Sequence, residues 1–347
     1  MRILLTGVAG FIGSHLAERL LAEGHEVVGL DSFDSFLYDA QTKRRNVALL
    51  EGRDRFRLVR GDIVNARLLK ELTTGMDVVA HLAALAGVRP SIADPARYVR
   101  TNVEGTLQVL EACRAADVKR LVFASSSSVY GVRGGRPAAF VEDDPCLQPA
   151  SPYAATKRAG ELLCSTYRDL FGIGCVQLRF FTVYGPRQRP EMAIHQFTRA
   201  IATGQTVTLF GDGSSARDYT YIDDIIDGTY AACLEVRPGQ SAVYNLGGSR
   251  TTTLLDLVDL IGRALGKKPD VAFKPDQPGD VPLTYADVTR AGRALGYAPR
   301  VAVEEGIRRF VAWYQADAAG SKVAVKTPGR RVRTESAARA QESLIGG

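Results

Sequence analysis

Residues 1–31 read MRILLTGVAGFIGSHLAERLLAEGHEVVGLD, and the order of events in this stretch decides the fold. RILLTG is a short apolar run that ends in glycine. SHLAERLLAEG then carries helical spacing, with Leu16, Leu20 and Leu21 on one face. Between the two, Gly7, Gly10 and Gly13 stand in Gly-x-x-Gly-x-x-Gly spacing. Gly7 permits a tight strand-to-helix turn, and Gly10 lets the backbone approach a pyrophosphate. Gly13 lets the helix pack closely on the sheet, while the helix N-terminus faces the phosphates. Phe11 and Ile12, between the last two glycines, are expected at the cofactor as well. HEVVGLD reads as a second buried strand ending at Asp31. A carboxylate about 20 positions beyond the glycines accepts hydrogen bonds from the adenosine ribose 2′-hydroxyl. It repels a 2′-phosphate, which favours NAD over NADP.

Further outward, FRLVRGDI, DVVAHLAA and RLVFASSSS read as strands, separated by helical segments such as TNVEGTLQVLEACRAAD. Strand–helix alternation predicts an α/β fold, a Rossmann-like doubly wound parallel sheet with ligands at the carboxyl ends of its strands. The strand ends supply expected cofactor contacts at Asp62 and Ile63 and in the small apolar run Leu82, Ala83 and Ala84, and Asn102, at the start of the helical TNVEGT segment, is expected at the cofactor as well. From about residue 180 the character changes. The expected cofactor domain covers 1–180.

After VFASSSSVYG comes SPYAATKRAGELL, which places Tyr153 and Lys157 four apart on one helix face. A tyrosine ionises near pH 10, too high for a base at neutral pH, but a neighbouring lysine and a nicotinamide cation favour its phenolate. Tyr153, Lys157 and Ser126 are therefore the candidate catalytic residues. Lys157 can also hold the nicotinamide ribose, and Ser126 or a neighbour can share the substrate hydroxyl proton.

Bulk properties limit the rest. The chain has 347 residues, of which 46% are apolar and 24% charged, as in an ordinary soluble globular protein. Its net charge is +6, and residues 318–347 hold six Lys/Arg against two Glu, so this tail carries most of the excess. The body is nearly neutral, which removes the support for a nucleic-acid partner. The segment 317–347 lacks aromatics and any regular apolar period, so disorder is expected there. Five scattered cysteines without Cys-x-x-Cys spacing fit free thiols and a cytoplasmic location. No run is long enough to span a membrane. His15, His25, His81 and His195 are isolated from other ligand types, so no metal site is expected.

The motifs TGVAGFIGSHL, GLD, GDI, HLAA, TNVEGT, SSSSVYG, YAATK, RFFTVYGPR and GSSARDYTYIDD together resemble the extended short-chain dehydrogenases/reductases, in the nucleotide-sugar epimerase and dehydratase branch. The resemblance covers roughly residues 1–316. It implies NAD as cofactor, a UDP-sugar substrate and a homodimer built on helices near Asn102–Ala116 and Tyr153–Phe171. It also implies that segments from within 180–250 return to the cofactor domain, with a smaller α/β substrate domain over 181–316. In this family the 4,6-dehydratases place an Asp-Glu pair where this chain has Ser127 and Ser128, and the decarboxylating relatives carry a glutamate at the position of Ser128. Without the extra acid, the chemistry implied is oxidation and re-reduction at one carbon, which is 4-epimerisation.

YGPRQRPEMAIHQF resembles the corresponding segment of the family's UDP-glucuronate 4-epimerases, and Thr182 stands where the hexose 4-epimerases usually have asparagine. A hexuronic acid presents a carboxylate, which a guanidinium fork binds bidentately. Arg189 is the expected fork, Arg187 its alternative, with Thr182 and the hydroxyls of Ser126, Ser127 and Ser128 as further donors. A firm hold matters because the 4-keto sugar is a β-keto acid, prone to lose carbon dioxide. The family pattern also implies phosphate contact at Arg217 and uridine ribose contact at Asp280, while Gln277 replaces an arginine common in relatives; Arg89, in AGVRPS, is a second candidate anion contact. Two other readings stay open: a 4-epimerase of a neutral UDP-hexose or UDP-N-acetylhexosamine, and a non-catalytic NAD-binding regulator.

Overall fold

The computed structural model describes residues 1–132, 138–275 and 283–325. Six strands come first: β1 (Arg2–Thr6), β2 (Glu26–Asp31), β3 (Phe56–Arg60), β4 (Val78–His81), β5 (Arg120–Ser126) and β6 (Gly174–Phe180). The chain then passes through β7 (Thr182–Tyr184), β8 (Val207–Phe210), β9 (Ala216–Arg217) and β10 (Tyr219–Tyr221) before β11 (Ser241–Leu246). Three short strands follow, β12 (Thr252–Thr253), β13 (Val271–Lys274) and β14 (Leu283–Thr284).

The central sheet has seven strands in the order β3-β2-β1-β4-β5-β6-β11, and every neighbouring pair is parallel. A parallel sheet covered on both faces needs continuous apolar strands, and Ile3, Leu4 and Leu5 are fully buried, as are Val78, Val79 and Ala80. Strand order reverses beside β1. The connections after β1 and β4 therefore diverge to opposite faces and open a crevice at the strand C-termini. The outermost strand, β11, arrives from far along the chain and pairs with β6, Ser241 opposite Cys175 through Leu246 opposite Phe180.

The smaller part is built from the pairs β10–β7 and β13–β8 and the triplet β12-β9-β14. Helices Ala193–Thr203, Leu254–Leu265 and Val303–Val325 accompany these strands. The last helix continues into the segment expected to be disordered. Its run after Phe310 and Val311, which are buried, is alanine-rich and free of proline, and so propagates the helix. Residues 326–347 lie outside the described residues.

Two local features position the site. The helix Pro152–Phe171 starts at Ser151, whose side chain accepts from the Ala154 N–H at 3.2 Å, has proline in its first turn and ends at Gly172 in the left-handed region. Its start is therefore pinned where Tyr153 must sit. The helix expected over TNVEGT begins instead with a π-helical turn, Val99–Glu104, before the α-helix Gly105–Ala115. Such turns cluster at functional sites because they aim a side chain out of α-helical register.

Candidate active site

At the crevice the turn after β1 is shaped by glycine. Gly7 has φ +76°, and a Cβ there would lie 2.7 Å from the Ala83 nitrogen. A Cβ on Gly13 would lie 2.1 Å from the Gly7 carbonyl oxygen. The helix Phe11–Ala22 begins at Gly10 with no side-chain cap and no acidic residue in its first turn. Its leading N–H groups and positive pole are thus left for an anion. At the end of β2 the buried Asp31 carboxylate accepts from the Ala9 N–H at 3.0 Å and the Phe33 N–H at 2.8 Å.

From this turn runs a cleft of about 480 Å³. Gly7, Gly10, Phe11, Ile12, Gly13, Asp31, Asp62, Ile63, Leu82, Ala83 and Ala84 line one end of it. Ser126, Ser127, Ser128, Tyr153, Lys157, Thr182 and Arg189 line the other. A glycine turn, an uncapped helix start, an acidic strand end and a small apolar wall fit the pyrophosphate, ribose and ring of a dinucleotide in turn.

The catalytic group is assembled around the end of β5. Ser126 Oγ donates to Ser128 Oγ at 3.1 Å and lies close enough to the Tyr153 phenol to influence its ionisation. Burial pushes the Tyr153 phenol up, while the Ser126 hydroxyl and the charge of Arg189 pull it back. Lys157 is buried, donates from Nζ to the Ala124 carbonyl at 2.7 Å and sits over the Phe123 ring. Burial brings its ammonium down to about 8, against the opposing influence of Cys164 and Glu161.

Beneath the cleft a chain of hydrogen bonds fixes proton positions. The Ala83 N–H donates to Thr6 Oγ1 at 3.2 Å. Thr106 gives its hydroxyl hydrogen to the Asn102 carbonyl at 2.6 Å, so its oxygen accepts from His81 Nε2–H at 3.0 Å, and Nδ1 of the neutral ring accepts from the Thr6 hydroxyl at 2.8 Å. Burial, reinforced by Lys157, keeps this imidazole neutral, down at about 3. Asn102 itself does not line the cleft. Its amide exchanges two hydrogen bonds with Leu85 and donates to Thr156 Oγ1 at 3.0 Å, which in turn donates to the Tyr153 carbonyl. The residue expected to touch cofactor thus ties the cofactor wall to the catalytic helix.

The two arginines of the RQR segment part ways. Arg187, at φ +67°, donates to Glu18 on the helix Phe11–Ala22 at 2.6 Å. That pairs it structurally across the molecule. Arg189 lines the cleft, with its Nε 3.2 Å from Glu191 and its Nη2 3.3 Å from the Met192 sulfur. Its charge reaches the phenols of Tyr153, Tyr98 and Tyr38.

Three further expectations fall away from the cleft wall or outside the described residues. Arg217, on β9, donates to Ser215 Oγ and the Ala216 carbonyl. The acids nearest it in sequence are engaged elsewhere: the Asp218 carboxylate accepts from Gly248, Ser249 and Ala286 backbone amides, and Asp223 faces Arg309 at 3.6 Å. Arg89 stacks over Phe210, 4.8 Å from its ring centre. Asp280 and Gln277 lie outside the described residues. Sequence reasoning missed Lys43, whose Nζ lies 3.8 Å from Asp31, and Tyr38, Thr101 and Gln188 in the lining. The basic run Lys43–Arg45 after Asp31 was the signal available for the first. Among the described residues no cluster of His, Cys, Asp and Glu has the makings of a metal site, and no helix is long and apolar enough to cross a membrane.

The comparisons match this geometry. The model of the NAD dependent epimerase/dehydratase family matches residues 3–247, and the chain belongs to that family, the extended short-chain dehydrogenase/reductase group its motifs resemble. UDP-glucuronate 4-epimerase 4 of Arabidopsis thaliana is 41% identical over 340 residues, spanning 93% of this chain and 77% of that protein. The UDP-glucuronate 4-epimerase of Thermodesulfobacterium geofontis is also 41% identical, over 89% of this chain and 95% of its own. The crystal structure of UDP-glucuronic acid 4-epimerase from Bacillus cereus, in complex with UDP-glucuronic acid and NAD, is 40% identical. It superposes with a TM-score of 0.85 over 91% of this chain and 99% of that one.

Proposed function

We propose that this chain interconverts UDP-glucuronate and UDP-galacturonate by epimerisation at carbon 4, with NAD resident in the cleft. The observation that carries this reading is Arg189, a cation in the wall of the same cleft as Ser126, Tyr153 and Lys157, with hydroxyls and no added acid at positions 127 and 128. When bound there, NAD supplies a reversible hydride acceptor for carbon 4.

The chain's own residues do the rest. Tyr153 Oη takes the proton of the 4-hydroxyl and returns it to the same oxygen once the sugar has turned the opposite face of carbon 4 to the cofactor, so no proton is consumed overall. Ser126 holds the phenol and shares that proton. Lys157, cationic at neutral pH, favours the phenolate by its charge. Arg189 binds the sugar carboxylate, and Thr182, Ser127 and Ser128 offer it further donors. Held by this set, the carboxylate is kept out of line with the ketone π-system, which suppresses loss of carbon dioxide.

The same reading implies a cofactor domain over 1–180 with returning segments and a substrate domain over 181–316. It also implies a cytoplasmic homodimer. Exposed apolar side chains on the helices near the expected interface support the dimer: Val99 at 52%, Leu162 at 53% and Leu170 at 66%. Light scattering that gives a monomer removes that part alone. The test of the reaction is proton NMR of UDP-glucuronate with purified protein and no added cofactor. UDP-galacturonate is the expected product. Turnover of UDP-glucose or UDP-N-acetylglucosamine with none of the acid would overturn the carboxylate assignment.

A further inference from the structure

One buried ion pair lies just behind the catalytic group without touching the cleft. Glu161 sits one helical turn beyond Lys157 on Pro152–Phe171 and is 1% exposed; Arg179, near the end of β6, is 2% exposed. The two are joined bidentately, Arg179 Nε to Glu161 Oε1 at 2.8 Å and Nη2 to Oε2 at 2.9 Å. The remaining acceptor sites of the carboxylate take Ser125 Oγ at 2.7 Å and Arg158 Nη1 at 2.8 Å. Arg179 stacks over Tyr130, 4.7 Å from its ring centre, and donates from Nη1 to the Glu142 carbonyl.

Burying two charges is expensive, and a packed apolar pair of similar volume often gives equal stability, so the pair is weak grounds for a purely structural role. Its connections indicate another. Ser125 pairs with Arg179 in the sheet register and immediately precedes Ser126. Through one carboxylate, then, three elements are locked together: the helix of Tyr153 and Lys157, the β5 end carrying Ser126, and the β6 end leading to Thr182.

We infer that Glu161 is a positioning residue for the reaction, acting through Ser125 and Arg179 to fix Ser126 against the Tyr153 phenol. The carboxylate touches neither substrate nor cofactor. Its four accepted hydrogen bonds leave Ser125 no freedom to rotate, and Ser126 inherits that fixed strand end. A satisfied buried network of this kind holds geometry more tightly than dispersion contacts do, because each member is costly to leave unpaired.

The inference takes the epimerase reading for its rate assay, and the experiment separates the two. Ser125→Ala removes one hydrogen bond and leaves the ion pair, so folding is preserved. Its kcat is expected to fall about tenfold with KM within about twofold, as for a slight misplacement of reacting groups. The acid limb of its kcat–pH profile should move upward, since a looser Ser126 supports the phenolate less well. Ser125→Thr, which keeps the hydroxyl, should restore both. Wild-type kcat and pH limb in Ser125→Ala, or no recovery in Ser125→Thr, overturns the inference. Glu161→Gln is the harsher companion and should show the same upward limb if it folds.

Should the wild-type chain prove silent on UDP-glucuronate, the functional reading fails on its own. The phenol is then followed by the ultraviolet difference titration between each chain and its Tyr153→Phe form. A higher phenol titration in Ser125→Ala supports the positioning role, and an unchanged one overturns it.

Discussion

The two ends of the cleft are built by opposite means. The phosphate end is made by leaving things out: Gly7, Gly10 and Gly13 have no side chain, and the helix Phe11–Ala22 has no cap. The sugar end is made by putting side chains in, the hydroxyls of Ser126, Ser127, Ser128, Tyr153 and Thr182 and the guanidinium of Arg189. One end is therefore broken by addition and the other by subtraction.

Subtraction should cost most where a reacting proton is moved. Tyr153→Phe is expected to lower kcat by about 1000-fold or more, the usual worth of a positioned acid–base group, while bound NAD is retained. NMR turnover and the absorbance of released cofactor check both halves. Arg189→Ala should raise KM for UDP-glucuronate by about 10- to 100-fold, in the range of a lost charge-assisted hydrogen bond. Any residual product should include decarboxylated pentose. Unchanged affinity with clean epimerisation would remove Arg189 from the carboxylate.

Addition at the other end is expected to act on the cofactor instead. Gly7→Ala meets both a left-handed backbone and the Ala83 nitrogen at 2.7 Å, and should weaken NAD retention about tenfold or more. Bound NAD after gel filtration measures it, with wild-type occupancy counting against the cradle. The pH dependence sharpens the sugar end further. Burial holds the Lys157 ammonium down at about 8, below its unfolded range, so the cost of burying this cation is present in full below that pH. Stability should gain as pH climbs from about 8 toward the ordinary lysine range, where the unfolded chain holds the extra proton. Activity should fall over the same interval, and Lys157→Arg should flatten that limb. The smallest effect belongs to Arg187→Ala. Losing the half-buried pair with Glu18 should cost about 1 kcal/mol and lower Tm by about 2–4 °C, with no change in KM for the acid.

The same contrast explains what could be read from the chain. The phosphate end was legible because backbone demands leave local marks: glycine spacing, an apolar strand and Asp31 at its end. The Tyr153–Lys157 pair was legible because helical spacing is local too. Asn102 was read as a cofactor contact, yet its amide is spent on Leu85 and Thr156, brought near only by folding, and the π-turn that aims it leaves no pattern in TNVEGT. His81 looked isolated for the same reason; Thr6 and Thr106, its partners, are distant in sequence. Arg187 and Arg189 could be distinguished only once Glu18 was seen opposite one of them.

The late arrival of β11 bears on how the chain is made. Its partner strand β6 ends at Phe180 and β11 begins at Ser241, so roughly sixty residues must be synthesised in between. At about 5–20 residues per second, the nascent sheet keeps an open parallel edge for about 3–12 s. That edge includes Gln177 and Arg179, both fully buried once β11 docks. Until then the fragment offers a ready template for pairing with another chain. Cotranslational aggregation, and its suppression by a holdase chaperone, should thus depend on this one strand more than on any residue of the cleft.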